Sequence, residues 1–276
     1  MFAHDFVRNA YLAGTFVALA CGTAGWLVVL RAQVFAGDAL SHVAFVGAIA
    51  AALIGVAEPL GLLVATLVVA AGMAGLGQRG AADDTSIGIT FAWILGIGIL
   101  LITLLARSTA GGSGIAATNA LFGSIYSLGA QDTILAVVAC GVVAVLVLVS
   151  FRPLLLASLD SQMALARGVR VRLLGVGFLL ALGVITAEST QAVGALLLLG
   201  LLAAPAGAAH QLTARPYVGL ALSAGLAVGA MWAGLALSYQ IPSLPPSSAI
   251  IGLAAAAYGL AALARRFRWR AAPRSG

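Results

Sequence analysis

Long apolar segments, with few charges between them, follow one another along nearly the whole chain. Of its 276 residues, 62% are hydrophobic and 8% are charged, and the mean hydropathy is +1.12. A soluble domain carries about a quarter charged residues, and it could not cover this much apolar surface. The sequence therefore predicts an all-α, polytopic membrane protein with about eight or nine transmembrane helices, forming a single integral-membrane domain over residues 1–276.

Nine segments are candidate membrane spans by length and hydropathy. They are 10–30, 42–57, 60–76, 86–106, 132–150, 173–187, 192–212, 217–238 and 247–264. Several are shorter than the usual ~20 residues, and Glu58-Pro59 alone separates the second from the third, so eight or ten spans also fit. Polar residues from Glu188 to Gln191 interrupt the apolar sequence between the sixth and seventh spans, and we expect a turn there. A further short half-helix is expected over 121–128.

Arginine supplies all of the positive charge, and its distribution predicts the orientation. Arginines cluster in the link 152–172 and in the tail 265–276, and cytoplasmic loops of membrane proteins are rich in such residues. Both segments are predicted to be cytoplasmic. Four spans lie between them, an even number, and counting backward places the N-terminus outside. Because membrane orientation explains the basic charge, we expect the lipid membrane and no nucleic acid as a partner.

Other function classes are excluded by residues that the sequence lacks. Without lysine the chain has no GxxxxGK[ST] phosphate-binding loop, so it cannot itself be a P-loop ATPase. It also has no HExxH motif and no Ser–His pairing at a workable spacing, which argues against an intramembrane enzyme. Cys21 and Cys140 both lie inside apolar segments, and we expect small buried side chains rather than a disulfide.

Asp38 and His42 place a carboxylate and an imidazole four residues apart at the start of the second span. Residues at this spacing share one helical face, with Cβ atoms roughly 5–6 Å apart. Ionisable groups are costly inside a membrane and are functional candidates there, and an oxygen with a nitrogen ligand suits Mn²⁺, Fe²⁺ or Zn²⁺. The alternative is that Asp38 caps the helix and His42 packs at the interface.

The link 152–172 contains its own short helix. Asp160 is a good N-cap, residues 161–167 can form two turns, and Gly168 fits the position that follows a helix. A helix this short does not persist alone in water. It must therefore pack against the membrane surface or a partner protein.

Four segments resemble the permease subunits of bacterial ABC importers for zinc, manganese and iron(II). They are Gly37 to His42 with the following Gly47, Asp84 to Ile89, Leu121 to Ser124, and Asp160 to Val169. The similarity extends from about residue 8 to 264. The first segment is the specific one, since the last is shared with siderophore and cobalamin permeases. Val43 to Gly47 lacks the proline common in the family, which predicts a straighter helix.

The resemblance implies a transport subunit of the bacterial inner membrane, with no catalytic chemistry and no permanently bound cofactor. Its cargo would be a divalent metal, and its partners a cytoplasmic ABC ATPase, an extracytoplasmic metal-binding protein and a second permease, either identical or paired. Asp160, Ala164 and Gly168 would belong to the helix that couples to the ATPase. Asp38 and His42 would bind the metal, and Glu188 and Gln191 are further candidates along its path. A siderophore or cobalamin permease and a proton-coupled secondary carrier are the alternatives.

Overall fold

A computed structural model describes residues 5–77, 84–108, 123, 125–195, 198–241 and 243–271. These residues form eleven α-helices, one 3-10 turn at Ile125–Ser127 and no β-strand. The helices are α1 (Asp5–Leu30), α2 (Val34–Ile54), α3 (Glu58–Leu76), α4 (Asp84–Ser108), α5 (Ala130–Val149), α6 (Phe151–Leu159), α7 (Ser161–Ala166), α8 (Val171–Val193), α9 (Leu198–Leu212), α10 (Pro216–Gln240) and α11 (Pro246–Ala271). The predicted all-α class is confirmed.

Eight of these helices are long and apolar enough to cross a membrane, namely α1 to α5, α8, α10 and α11. The seventh predicted span, 192–212, corresponds to the shorter α9, which begins at Leu198. The polytopic membrane fold is therefore confirmed. Of the expected half-helix over 121–128, the structure describes 123 and 125–128, which contain the 3-10 turn Ile125–Ser127 and no α-helix. Residues 121, 122 and 124 lie outside the described residues.

Helix α1 lies at the centre of the bundle and packs against α5, α8, α9 and α10. Small residues allow its backbone to approach its neighbours closely. A Cβ atom on Gly22 would lie 2.6 Å from the Cα of Ala224 in α10, and the Ser223 hydroxyl donates to the Gly22 carbonyl at 2.6 Å. Without a hydrophobic force between helices in lipid, such close packing and interhelical hydrogen bonds hold a membrane bundle together.

Helices α2 and α3 also meet through small residues. A Cβ atom on Gly47 would overlap the Gly61 carbonyl and lie 2.6 Å from the Cβ of Ala65. At the periphery, α4 and α5 expose apolar side chains, among them Trp93 and Val149. Apolar surface of this kind is what lipid or another membrane subunit covers.

Helix ends separate into two groups, as the predicted chain path requires. At one end Phe6 packs on Tyr126 with ring centroids 5.9 Å apart, and the Tyr126 hydroxyl donates to the Leu235 carbonyl at 2.9 Å. At the other end the link between α1 and α2 contacts α6, the helix that precedes the predicted coupling helix. We call α6 and α7 together (Phe151–Ala166) the predicted coupling segment. The start of α1 and this coupling segment thus lie at opposite ends of the bundle.

Two predicted boundaries are wrong. The polar residues from Glu188 to Gln191 form no turn, because α8 continues through them to Val193. Thr190 donates its hydroxyl to the Thr186 carbonyl within that helix at 2.6 Å, so its polar group is satisfied without breaking the helix. Helix α2 begins eight residues earlier than predicted, at Val34, with Gln33 as its N-cap residue.

Candidate metal-binding pair and coupling segment

Asp38 and His42 lie inside α2, near the end of the bundle that holds the coupling segment. With a rise of 1.5 Å per residue, they stand about 6 Å and about 12 Å from the start of the helix at Val34. Asp38 is therefore not the helix cap, and the capping alternative raised by the sequence is wrong. Gly37, beside it, faces the side chain of Leu202 in α9, which a Cβ atom would meet at 2.6 Å.

The two side chains share the accessible face of residues 34–49 of α2, a stretch that is otherwise largely buried. In the stretch 34–49, the residues that are not buried are Val34, Phe35, Asp38 and His42. Phe35, Asp38 and His42 follow the i, i+3, i+7 spacing of a single helical stripe. A carboxylate and an imidazole are thus presented side by side on a surface that a second subunit or an ion can reach.

The contacts of this pair leave the Asp38 carboxylate available. The hydroxyl of Ser41 donates to the backbone carbonyl of Asp38 at 2.7 Å, not to its side chain. The His42 ring packs edge-to-face against Phe91 of α4, with centroids 5.1 Å apart and an interplanar angle of 79°. Phe91 therefore supports the imidazole from the neighbouring helix, a contact that the sequence did not reveal.

Asp38 and His42 are two candidate ligands at this place. The described residues contain no group of three or more His, Cys, Asp and Glu side chains that could hold a metal ion. Zinc and related divalent ions take four ligands or more.

The predicted capping of the coupling helix is confirmed. The Asp160 carboxylate accepts hydrogen bonds from the backbone amides of Gln162 and Met163, each at 2.9 Å. At the other end Gly168 has φ +75°, and the Val169 amide donates to the Ala164 carbonyl at 3.0 Å. Open space surrounds Gly168, so the left-handed backbone, rather than packing, requires glycine there.

Ala164 is fully buried within this chain. The sequence predicts Ala164 among the residues that couple to the ATPase, and the structure places its methyl group in the interior. Its neighbours Met163 and Leu165 are 47% and 49% exposed. The sequence analysis missed this pair, although two large apolar side chains flanking an alanine in a two-turn helix are the signal that could have identified them.

Glu188 and Gln191 lie in a different part of the bundle from Asp38 and His42. Glu188 is 4% exposed, and its Oε2 atom and the Oε1 atom of Gln191 are buried without a hydrogen-bond partner among the described residues. Ala187 packs against α2 and α3, and one residue later the side chain points about 100° around the helix. Glu188 there interacts electrostatically with Cys140 and Asp132 of α5.

Three separate regions thus carry the predicted residues: the α2 face, the α7 segment and the interior beside α8. Cys21 and Cys140 are buried free thiols, and the Cys21 sulfur lies 3.2 Å from the Ser189 hydroxyl beside Glu188.

Comparison with known proteins decides the class of this bundle. The sequence matches the ABC 3 transport family over residues 3–265. The chain belongs to this family. The ABC 3 family is one of transporter permeases, so this chain is a non-catalytic transport subunit and a multi-pass protein of the bacterial cell membrane.

Relatives of this ABC 3 family member include the manganese transport system membrane protein MntC of Halalkalibacterium halodurans. It is 29% identical over 95% of this chain and 88% of its own length. A Haemophilus influenzae protein named "Probable iron transport system membrane protein" is 26% identical over 94% of this chain and 93% of its own. Among solved structures, PsaBC from Streptococcus pneumoniae in complex with Fab is similar, with a TM-score of 0.80 and 25% identity. That match covers 94% of this chain and 91% of the PsaBC chain.

Proposed function

We propose that this chain is the membrane-spanning subunit of an ABC importer that moves a divalent transition metal ion, manganese, iron(II) or zinc, into the cell. The observation that carries the proposal is the pairing of Asp38 and His42 on the accessible stripe in the N-terminal part of α2. Their oxygen and nitrogen donors suit these three ions. Relatives named for manganese and iron transport support a metal cargo and make manganese the first ion to test.

The site is completed by a second permease subunit. Two copies related by a two-fold axis would contribute Asp38 and His42 twice, giving four ligands around one ion. Such a site must be taken apart in each cycle. A nanomolar site with an association rate of ~10⁷ M⁻¹s⁻¹ would release its ion about once per hundred seconds. Separation of the two ligand pairs, driven by ATP, would remove this limit.

We assign one partner protein to each end of the bundle. A cytoplasmic ABC ATPase docks on α7, where the exposed Met163 and Leu165 side chains offer an apolar surface. A metal-binding protein delivers the ion at the opposite end. Glu188 and Gln191 would offer further oxygen atoms to an ion or its water on the way through the bundle.

Uptake of radioactive metal by cells that also express the ATPase and the binding protein tests this function. Asp38→Asn keeps the size of the side chain and removes the charge that balances the incoming cation. His42→Ala removes the nitrogen ligand and leaves the helix intact. Each change should abolish uptake while the complex still assembles, because two lost ligands per dimer leave the ion with half of its protein partners.

Asp5→Asn is the matched control. Asp5 is an exposed carboxylate at the start of α1, where it pairs with Arg8, and asparagine is as well tolerated at a helix start as aspartate. Uptake should survive this change at equal expression. Normal metal uptake by Asp38→Asn would contradict the proposal, and comparison of manganese, iron(II) and zinc in the wild type would identify the cargo.

A further inference from the structure

Arg31 lies in the short link between α1 and α2 and reaches across to the coupling segment. Its Nε atom donates to the Ser158 hydroxyl of α6 at 2.7 Å, and its Nη2 atom donates to the Leu154 carbonyl at 3.3 Å. The guanidinium carbon lies 4.7 Å from the ring centroid of Phe178 in α8. This one side chain therefore joins the link to both α6 and α8.

The surroundings of Arg31 are unusual for a cation. In the part of the chain that the structure describes, no carboxylate lies within ion-pair distance of it. Burial lowers the pKa of Arg31 to about 10, so the group is charged at neutral pH. Its charge is compensated by a hydroxyl, a carbonyl and an aromatic face. Loss of these contacts would leave a partly buried cation unsatisfied, so they favour keeping the link against α6.

The backbone after Arg31 forms a fixed turn rather than a flexible joint. Ala32 has φ +54°, in the left-handed region. The Gln33 amide donates to the Val28 carbonyl at 2.9 Å, and the Ala36 amide donates to the Gln33 carbonyl at 3.1 Å. This closes α1 in the manner of a Schellman motif and opens α2 immediately. A displacement of Arg31 is thus passed directly to the start of α2.

We propose that Arg31 is a positioning residue that links movement of α6 and α7 to the Asp38–His42 face of α2. The inference rests on the proposed function for the role of that face. When an ATPase moves α7, the adjoining α6 carries the Ser158 hydroxyl and the Leu154 carbonyl with it. Arg31 follows these acceptors, and α2, which starts three residues later, follows Arg31.

The test uses the full complex with the ATPase and the metal-binding protein in proteoliposomes. Arg31→Met keeps an unbranched apolar stem and removes the donors, and Arg31→Lys keeps the charge without the planar fork. Arg8→Met is the matched control, since Arg8 is an exposed arginine paired with Asp5 at the other end of α1. Two quantities are measured: ATP hydrolysed per ion imported, and hydrogen exchange of backbone amides with and without ATP.

We expect Arg31→Met to assemble, to hydrolyse ATP and to consume at least about tenfold more ATP per ion, because the variant loses both charge-assisted hydrogen bonds of Arg31. The ATP-dependent change in exchange should remain in residues 154–166 and disappear in residues 34–42. Arg31→Lys should be intermediate, and Arg8→Met should behave as the wild type.

An unchanged ATP-to-ion ratio, or an ATP response of residues 34–42 that persists in Arg31→Met, would overturn the inference. If Arg31→Met does not assemble, the same two quantities are measured on Ser158→Ala, which removes one hydrogen-bond acceptor and leaves Arg31 in place. Wild-type behaviour of Ser158→Ala would also overturn the inference. Failure of the wild type to import any metal would instead contradict the proposed function. The exchange measurement would then still decide the role of Arg31.

Discussion

Asp38 and Glu188 are acidic residues of membrane-spanning helices with opposite surroundings. Asp38 lies on an accessible stripe beside His42, whereas Glu188 is enclosed between α8, α1 and α5 with one carboxyl oxygen unpartnered in the described structure. A buried acceptor without a partner costs free energy. Ionisable residues in such positions are functional candidates by default, and on this ground we propose that Glu188 lies on the transport path.

Glu188→Gln tests that assignment at the scale of one residue. Glutamine preserves the shape of the side chain and removes its ability to carry charge, so folding and assembly should be retained. We expect metal uptake to fall about tenfold, as for the loss of one interaction with a charged group. Ser189→Ala, which removes the hydroxyl next to Cys21, is the neighbouring control. Wild-type uptake in Glu188→Gln would make this carboxyl a structural group.

Single-residue roles could be predicted from sequence where local spacing determines them. The shared face of Asp38 and His42 follows from their separation by four residues, and capping by Asp160 follows from its place before a short helix. Arg31 could not be found in this way, because an arginine at a helix end resembles ordinary cytoplasmic charge. Its partners Leu154 and Ser158 are 123 and 127 residues away in the chain.

At the scale of an element, α7 is a short helix with one anchoring and one exposed surface. Ala164 is buried, while Met163 and Leu165 are about half exposed. Asp160 and Gly168 close its two ends. A helix of six residues gains its stability from these caps and from packing rather than from its own hydrogen bonds.

Substitutions in α7 should separate docking from folding. Met163→Ser with Leu165→Ser should weaken binding of the ATPase by about tenfold or more, since each apolar side chain lost from an interface costs ~1–3 kcal/mol. Metal binding to the isolated permease should be unchanged.

Gly168→Val should impair docking as well, because a β-branched residue is strained at φ +75°. Co-purification of permease and ATPase measures both effects.

Ile241→Ser is a suitable control for the α7 variants, because this exposed apolar residue follows α10, far along the chain from the coupling segment. Undiminished co-purification of the ATPase with the Met163→Ser, Leu165→Ser double variant would show that the partner docks elsewhere.

Element boundaries were predicted well where apolar segments end at charged or turn-forming residues, and poorly where polar residues continue a helix. In α8 the sequence from Glu188 to Gln191 resembles a turn by hydropathy. Thr190 instead bonds its own helix, and Ser189 contacts Cys21 of α1. Hydropathy along the chain does not detect that a polar side chain finds its hydrogen-bond partner on a neighbouring helix, which is why this boundary was predicted wrongly.

At the scale of the whole molecule, the arginine distribution predicts which end of the bundle faces the cytoplasm. Single cysteines introduced after replacement of Cys21 and Cys140 can check it. A cysteine at Ser161 should react with a membrane-impermeant reagent from the cytoplasm alone, and one at Ser243, in the link after α10, from outside alone. Ser275, in the basic tail, should label as Ser161 does, although it lies outside the described residues. Labelling of Ser161 from outside would reverse the orientation.

The contact between α2 and α3 has a consequence for how these two helices can move relative to each other. Gly47, Gly61 and Ala65 bring the two helices together, and Leu62 packs beside this contact against Ala44 and Ala48 of α2. Interlocked side chains resist sliding because each must change rotamer, whereas glycine and alanine have no rotamer to change. Shear, the small sliding of packed helices, is an established mode of conformational change, and the glycine contact favours such a shift of α2 along α3. Gly47 and Gly61, which allow the close packing of α2 on α3, would therefore also allow the two helices to slide along each other.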